Sequence, residues 1–156
     1  MKDLRFLTVD EFILRHEESN LLALVGIGGP NSVGGRTIDR SRVEAQLARA
    51  EAMAAGYLYG RFPALKTIEP SKAPESLKGV VSDLAIYYLR ERIHHTNAVE
   101  EETRNRYRDC LSWLKDAQVG RVDLGLEVTG DVEPATGGVS GSFDQGRANS
   151  VLEGYQ

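Results

Sequence analysis

One helical face in the middle of the chain constrains everything around it. Val43, Leu47, Ala50, Ala54, Tyr57 and Arg61 follow one another at intervals of 4, 3, 4, 3 and 4 residues, the repeat of a single stripe along an α-helix. Much of this face is alanine. Small side chains let a second helix approach closely, so the face is expected to meet a helix rather than a ligand. The helix starts near Asp39 or Ser41, with Ser41-Arg42-Val43-Glu44 reading as a capping box. It runs into Ala54–Leu65, AAGYLYGRFPAL, where three aromatics and an arginine crowd the place at which Pro63 stops it.

Other helices can be placed around this one. Thr8-Val9-Asp10-Glu11 is a capping box with Leu7 and Phe12 at the staple positions, which predicts a first helix over residues 9–17. A short apolar piece, NLLALVG, follows. Then comes GIGGPNSVGGRT, with five glycines and a proline in twelve residues; that composition predicts a loop with neither helix nor strand. Beyond Pro63 and Pro70, Pro74 suits the first turn of a helix reaching about His94. Leu77, Val81, Leu84 and Tyr88 give that helix the broadest apolar face, the expected centre of the core. Asn97 can cap a last long helix, with Tyr107, Cys110, Leu111 and Leu114 at helical steps and Gly120 as its stop. RVDLGLEV, after it, is compatible with a short extended segment. The expected fold class is all-α, a small bundle of about four helices.

The chain divides in two. Residues 1–125 read as the helical domain, with the Gly-rich loop 26–36 inside it. Residues 126–156 read as an extended or disordered C-terminal tail, rich in Gly and Ser from Thr129 onward. Scattered single apolar residues cannot offset an ordering entropy of roughly 1–2 kcal/mol per residue.

Composition narrows the function classes. The 156 residues are 41% hydrophobic and 27% charged, suited to one globular domain. A formal net charge of −4 argues against general affinity for nucleic acid, which needs a basic surface. The single cysteine, Cys110, cannot form an intrachain disulfide. No stretch approaches the roughly 20 apolar residues of a membrane helix, and MKDLRFLTVDEFILRH has no signal-like apolar run. A cytoplasm-like environment is expected.

No constellation predicts catalysis, a cofactor or a metal. The Gly-rich loop ends in Gly34-Gly35-Arg36, not the Gly-Lys-Ser/Thr of a phosphate cradle. His94 and His95 are adjacent and so point about 100° apart on a helix, unlike ligand pairs at i and i+4. Glu100, Glu101 and Glu102 sit where a helix dipole favours negative charge. Cys110 lies on an apolar face. Arg90, Arg92, Arg104, Arg106 and Arg108 are interleaved with acids, the pattern of a solvated or ion-paired face. Tyr59, Arg61 and Phe62 project in different directions from the end of the alanine-rich helix. Either the connection to Pro74 folds over them or another subunit does; Tyr and Arg are favoured at interface centres.

Three stretches in order carry a resemblance: Tyr57-Leu58-Tyr59-Gly60-Arg61-Phe62-Pro63; then Ala85-Ile86-Tyr87-Tyr88-Leu89; then Arg106-Tyr107 with Leu111, Leu114, Gly120 and Leu124. Together, over about residues 8–125, they resemble the neck proteins of Mu-like phages and prophages. Phe62 stands where that pattern has Tyr, Pro63 follows at once, and the GIGGPNSVGG loop looks like an insertion. The resemblance implies a head–tail connector, also called an adaptor or head-completion protein. Such a protein sits in the virion neck and is made in the host cytoplasm. It forms a ring of usually twelve copies under the portal protein, extends the DNA channel without sequence-specific binding, and offers a platform to the next neck or tail-completion protein. On that footing Tyr59, Arg61 or Phe62 is expected at the contact between copies. The tail, with spaced anchors Val132, Val139, Phe143, Val151, Leu152 and Tyr155, is expected to dock on the portal. The rival readings are a helical DNA-binding or DNA-packaging accessory protein, which needs a basic recognition face, and a small enzyme using the Gly-rich loop.

Overall fold

The computed structural model describes residues 3–29, 31, 35–91 and 97–128. Helix α1, Val9–Arg15, starts at the foreseen box: the Thr8 hydroxyl accepts from the Glu11 amide at 3.2 Å, and the Glu11 carboxylate accepts from the Thr8 amide at 3.1 Å. Leu7 and Phe12, the staple pair, are both fully buried.

A second helix, α2, spans Glu18–Val25 and buries Leu21, Leu24 and Val25. The sequence shows it only as an apolar piece, because Glu17 before it makes no side-chain cap and eight residues are too few to establish a period. Its C-cap, Gly26, must lack a side chain. A Cβ there would run into the Leu22 carbonyl oxygen and come within 2.8 Å of Arg36 Nε.

The expectation that no strand survives in the Gly-rich segment fails at both of its edges. β1, Gly26–Ile27, pairs antiparallel with β2, Thr37–Ile38, placing Gly26 opposite Ile38. The Asp39 amide extends the contact to the Val25 carbonyl at 2.8 Å. A bridge of two residues per strand demands little of composition, and it closes the loop at its base.

Asp39 then caps α3, Arg40–Leu58, its carboxylate accepting from the Arg42 amide at 3.1 Å. The box proposed at Ser41 is therefore not the start; Ser41 lies exposed in the first turn. The buried face takes Val43, Leu47, Ala50 and Ala54 as read but then Ala55 and Leu58, leaving Tyr57 half-buried and Arg61 beyond the helix end. It meets α4, Glu75–Arg90, as the small side chains foretold. Helix α4 follows Pro74 directly and buries Leu77, Val81, Leu84, Ala85, Tyr88 and Leu89. It ends at Arg90 rather than His94, and residues 92–96 lie outside the described part.

The last helix, α5, spans Asn97–Gln118. It packs on both α3 and α4, burying Cys110, Leu114 and Ala117. Gly120 stops it as foreseen, at φ 83°. The Arg121 amide reaches the Asp116 carbonyl at 2.8 Å and the Gly120 amide the Ala117 carbonyl at 3.2 Å, the paired bonds of a Schellman motif. Residues 121–128 are bends and irregular chain rather than the extended segment suggested by sequence. They return along the body, burying Leu124, with Val122 and Leu126 partly packed beside it. The fold is all-α, with five α-helices among the described residues instead of about four.

Candidate functional site

The end of α3 shows what becomes of its crowded aromatics. Helix α3 stops at Leu58, and a 3₁₀ turn over Pro63–Lys66 folds back on it with Leu65 fully buried. Phe62 goes inward and is 1% exposed, so its surface is spent on the chain's own core. Tyr59 is half-buried. It meets the edge of Phe6 at a centroid distance of 6.4 Å and has Lys66 Nζ 6.0 Å from its ring. Arg61 lies 5.7 Å from the Phe62 ring, with its guanidinium directly against Gly120. The connection to Pro74 thus covers Phe62, while Tyr59 and Arg61 keep surface facing outward.

The other two motif stretches meet each other. Tyr87 of α4 and Tyr107 of α5 stack at 4.1 Å with planes 18° apart. Tyr88 adds an edge contact to Tyr107 at 6.2 Å, and Arg49 of α3 sits 3.9 Å over the Tyr88 ring while pairing with Glu91 at 2.9 Å. Burial, together with the adjacent Tyr107, pushes the Tyr88 hydroxyl up to about 12. These rings tie three helices together at one end of the bundle. The sequence does not reveal Arg49 as a member, since nothing in its spacing distinguishes it from a solvated arginine.

A cleft of about 220 Å³ lies where α2, α4 and α5 converge, lined by His16, Asn20, Asp83, Arg90, Glu102 and Arg106 among others. Its charges are answered only in part: among the described residues Asp83 has no ion-pair partner and the buried Arg90 Nε has no hydrogen-bond partner. Arg106 pairs with Glu102 at 2.9 Å, and Arg90 Nη1 donates to the Thr103 hydroxyl at 3.3 Å. His16 bonds Ser82 through Nε2 at 2.8 Å, and burial, then the Arg15 and Arg90 charges, holds its pKa below the ordinary value against the opposing pull of Asp83. Cys110 faces the core, as read from its helical position, and burial, then the Asp83 and Asp109 charges, pushes its thiol up to about 12. Such a thiol is a poor nucleophile.

Among the described residues no cluster of three or more His, Cys, Asp or Glu could hold a metal, and no helix is long and apolar enough to cross a membrane. Glu100, Glu101 and Glu102 are exposed in the first turns of α5. His94, His95, Arg92 and the tail residues Val132, Val139, Phe143, Val151, Leu152 and Tyr155 lie outside the described residues, as does most of the centre of the Gly-rich loop.

Gene product J of Escherichia phage Mu is 30% identical over 124 residues, spanning 80% of this chain and 79% of its own length. The family described as Bacteriophage Mu, Gp36 matches residues 6–142, from the buried Phe6 to beyond the last described residue. That range includes the α3 terminus, the Tyr87–Tyr107 stack and the Gly120 stop, and the chain belongs to the Bacteriophage Mu Gp36 family.

Proposed function

We propose that this chain is a structural virion protein, a head–tail connector that forms a ring under the portal protein, extends the DNA channel and joins capsid to tail. Membership of the Mu Gp36 family across residues 6–142 carries the reading. The described body supports it. The resemblance-bearing residues serve packing: Leu58, Phe62, Ala85, Leu89, Leu114 and Leu124 are buried and Tyr87 stacks on Tyr107. They build a rigid helical block, which is what a repeated ring unit requires.

A closed ring needs head-to-tail contacts, in which one patch of each copy meets a different patch of the next. Tyr59 and Arg61, at the end of α3, are candidate contributors; Phe62 supports them from within. The tail from Thr129 onward docks on the portal in this reading. The ordering cost is offset by contacts repeated about twelve times around the ring. The next neck or tail-completion protein binds the opposite side, and the acidic chain lets DNA pass without gripping it.

The test is co-purification of the full chain, and of a chain lacking residues 129–156, with the portal of the same phage. The full chain should bind and the shortened chain should not. Undiminished binding of the shortened chain removes the role given to the tail. Absence of portal binding by the full chain, with salt-dependent DNA binding by the isolated protein, would favour a DNA-packaging accessory instead.

A further inference from the structure

Helix α5 has a second face that the core uses only at Leu111. Arg104, Arg108, Leu111, Lys115 and Val119 recur at intervals of 4, 3, 4 and 4, a stripe about 22 Å long at 1.5 Å per residue. The three cations are exposed and, among the described residues, none has an ion-pair partner. Glu100 and Glu101 lie about one turn before Arg104 on the same surface, and among the described residues neither pairs with it. Leu111 is half-buried between the cations, and Val119 is 57% exposed at the far end. By contrast, Arg106, on the other side of the helix, is held by Glu102.

The α1–α2 corner has the opposite character. Leu14 is 86% exposed, more than any other large apolar side chain among the described residues. Arg15, next to it, is tied to Glu75, and Glu17 and Glu18 follow, both exposed. Among the described residues the Glu17 carboxylate accepts from Asn20 Nδ2, at 3.2 Å, and Glu18 has no ion-pair partner.

These two patches select their own kind of contact. A two-fold contact would set the α5 stripe against itself, cation on cation. The complement must be a different patch, apolar and acidic, and the corner at Leu14 is one. We infer that the Leu14–Glu17–Glu18 corner of one copy docks on the Arg104–Arg108–Lys115 stripe of the next copy. This inference rests on the ring reading above and gives that ring its head-to-tail contact. Leu14 packs beside Leu111, and the carboxylates meet the cations around it. Rim charges of this type fix register and make association depend on ionic strength.

Charge reversal tests the pairing, with assembly of the full chain followed by native mass spectrometry, alone and with the portal. The stripe variant R104E/R108E and the corner variant E17R/E18R should each weaken assembly at least tenfold, as should Leu14→Ser. The chain carrying all four reversals should assemble again, which also shows that the corner substitutions leave the fold intact. Rings that form in both reversed variants as they do in the wild type overturn this contact and leave the ring reading standing. Assembly strengthened by R104E/R108E, or weakened by it but not rescued in the fourfold variant, assigns the stripe another partner and also overturns the contact. A wild-type chain that never assembles, even on the portal, removes the ring reading and this contact with it.

Discussion

The Arg61 guanidinium occupies the space into which a side chain at Gly120 would project. The end of α3 is thereby keyed to the end of α5. Gly120 is doubly constrained, since its φ of 83° is also one that L-residues disfavour. Gly120→Ala should cost about 1–2 kcal/mol for the left-handed backbone, plus a further loss as Arg61 is displaced. In an Arg61→Ala background the second part should disappear. Chemical denaturation of the four proteins in this cycle measures the coupling.

Lys78 Nζ donates to Glu11 Oε1 at 2.6 Å across 67 residues of sequence, joining α4 to α1. Lys78 is nearly buried, and Glu11 also supplies the Thr8 cap. Removing the lysine leaves the carboxylate, and removing the carboxylate leaves a buried cation. Lys78→Ala should cost about 2–3 kcal/mol, at the low side of buried pairs because Glu11 keeps some water contact. Glu11→Gln should cost about as much. The double variant should fall well short of the sum in urea melts.

Acid should weaken this protein in two stages. Burial depresses the His16 pKa below its ordinary 6.5, so the folded state favours the neutral ring. The stability it contributes is fully present above pH 6.5 and is lost as pH falls through the folded value. For Glu11, burial raises the pKa, but bonds from Lys78 and Thr8 outweigh it and leave the value below 4.5. Its contribution is present above 4.5 and is lost as pH falls through the lowered value. Thermal melts should show a loss as pH falls below 6.5 that is smaller in His16→Gln. A second loss, below pH 4.5, should be smaller in Lys78→Met.

Phe62 and Tyr59 should separate stability from assembly. Phe62→Ala opens a cavity in the core and should cost about 3–5 kcal/mol. Tyr59→Ala loses an edge contact with Phe6 and should cost less, while reducing assembly if Tyr59 reaches a neighbouring copy. Melting temperature and native mass spectra, recorded on both variants, distinguish the two roles.

Local rules made parts of the fold legible. The Thr8 box, the alanine face of α3 from Val43 to Ala54 and the Gly120 stop depend on residues close in sequence, and each forms as read. Other features depend on partners far away. Asp39 rather than Ser41 caps α3 because the β1–β2 bridge brings its amide to Val25 and fixes where the helix begins. Helix α2 is held by burial of Leu21, Leu24 and Val25 rather than by a cap. The inward turn of Phe62 depends on the 3₁₀ turn that carries Leu65, which no pattern in AAGYLYGRFPAL discloses. The Arg49–Tyr88 contact likewise exists only once three helices have met.

Ring formation on the portal is the property on which the proposed role depends. Electron microscopy of the full chain mixed with its portal, averaged around the portal axis, tests it most directly. The account predicts a closed ring of about twelve copies seated on the portal, its subunits matching the five-helix body. Portals that remain bare, or that carry scattered copies without closure, would contradict it.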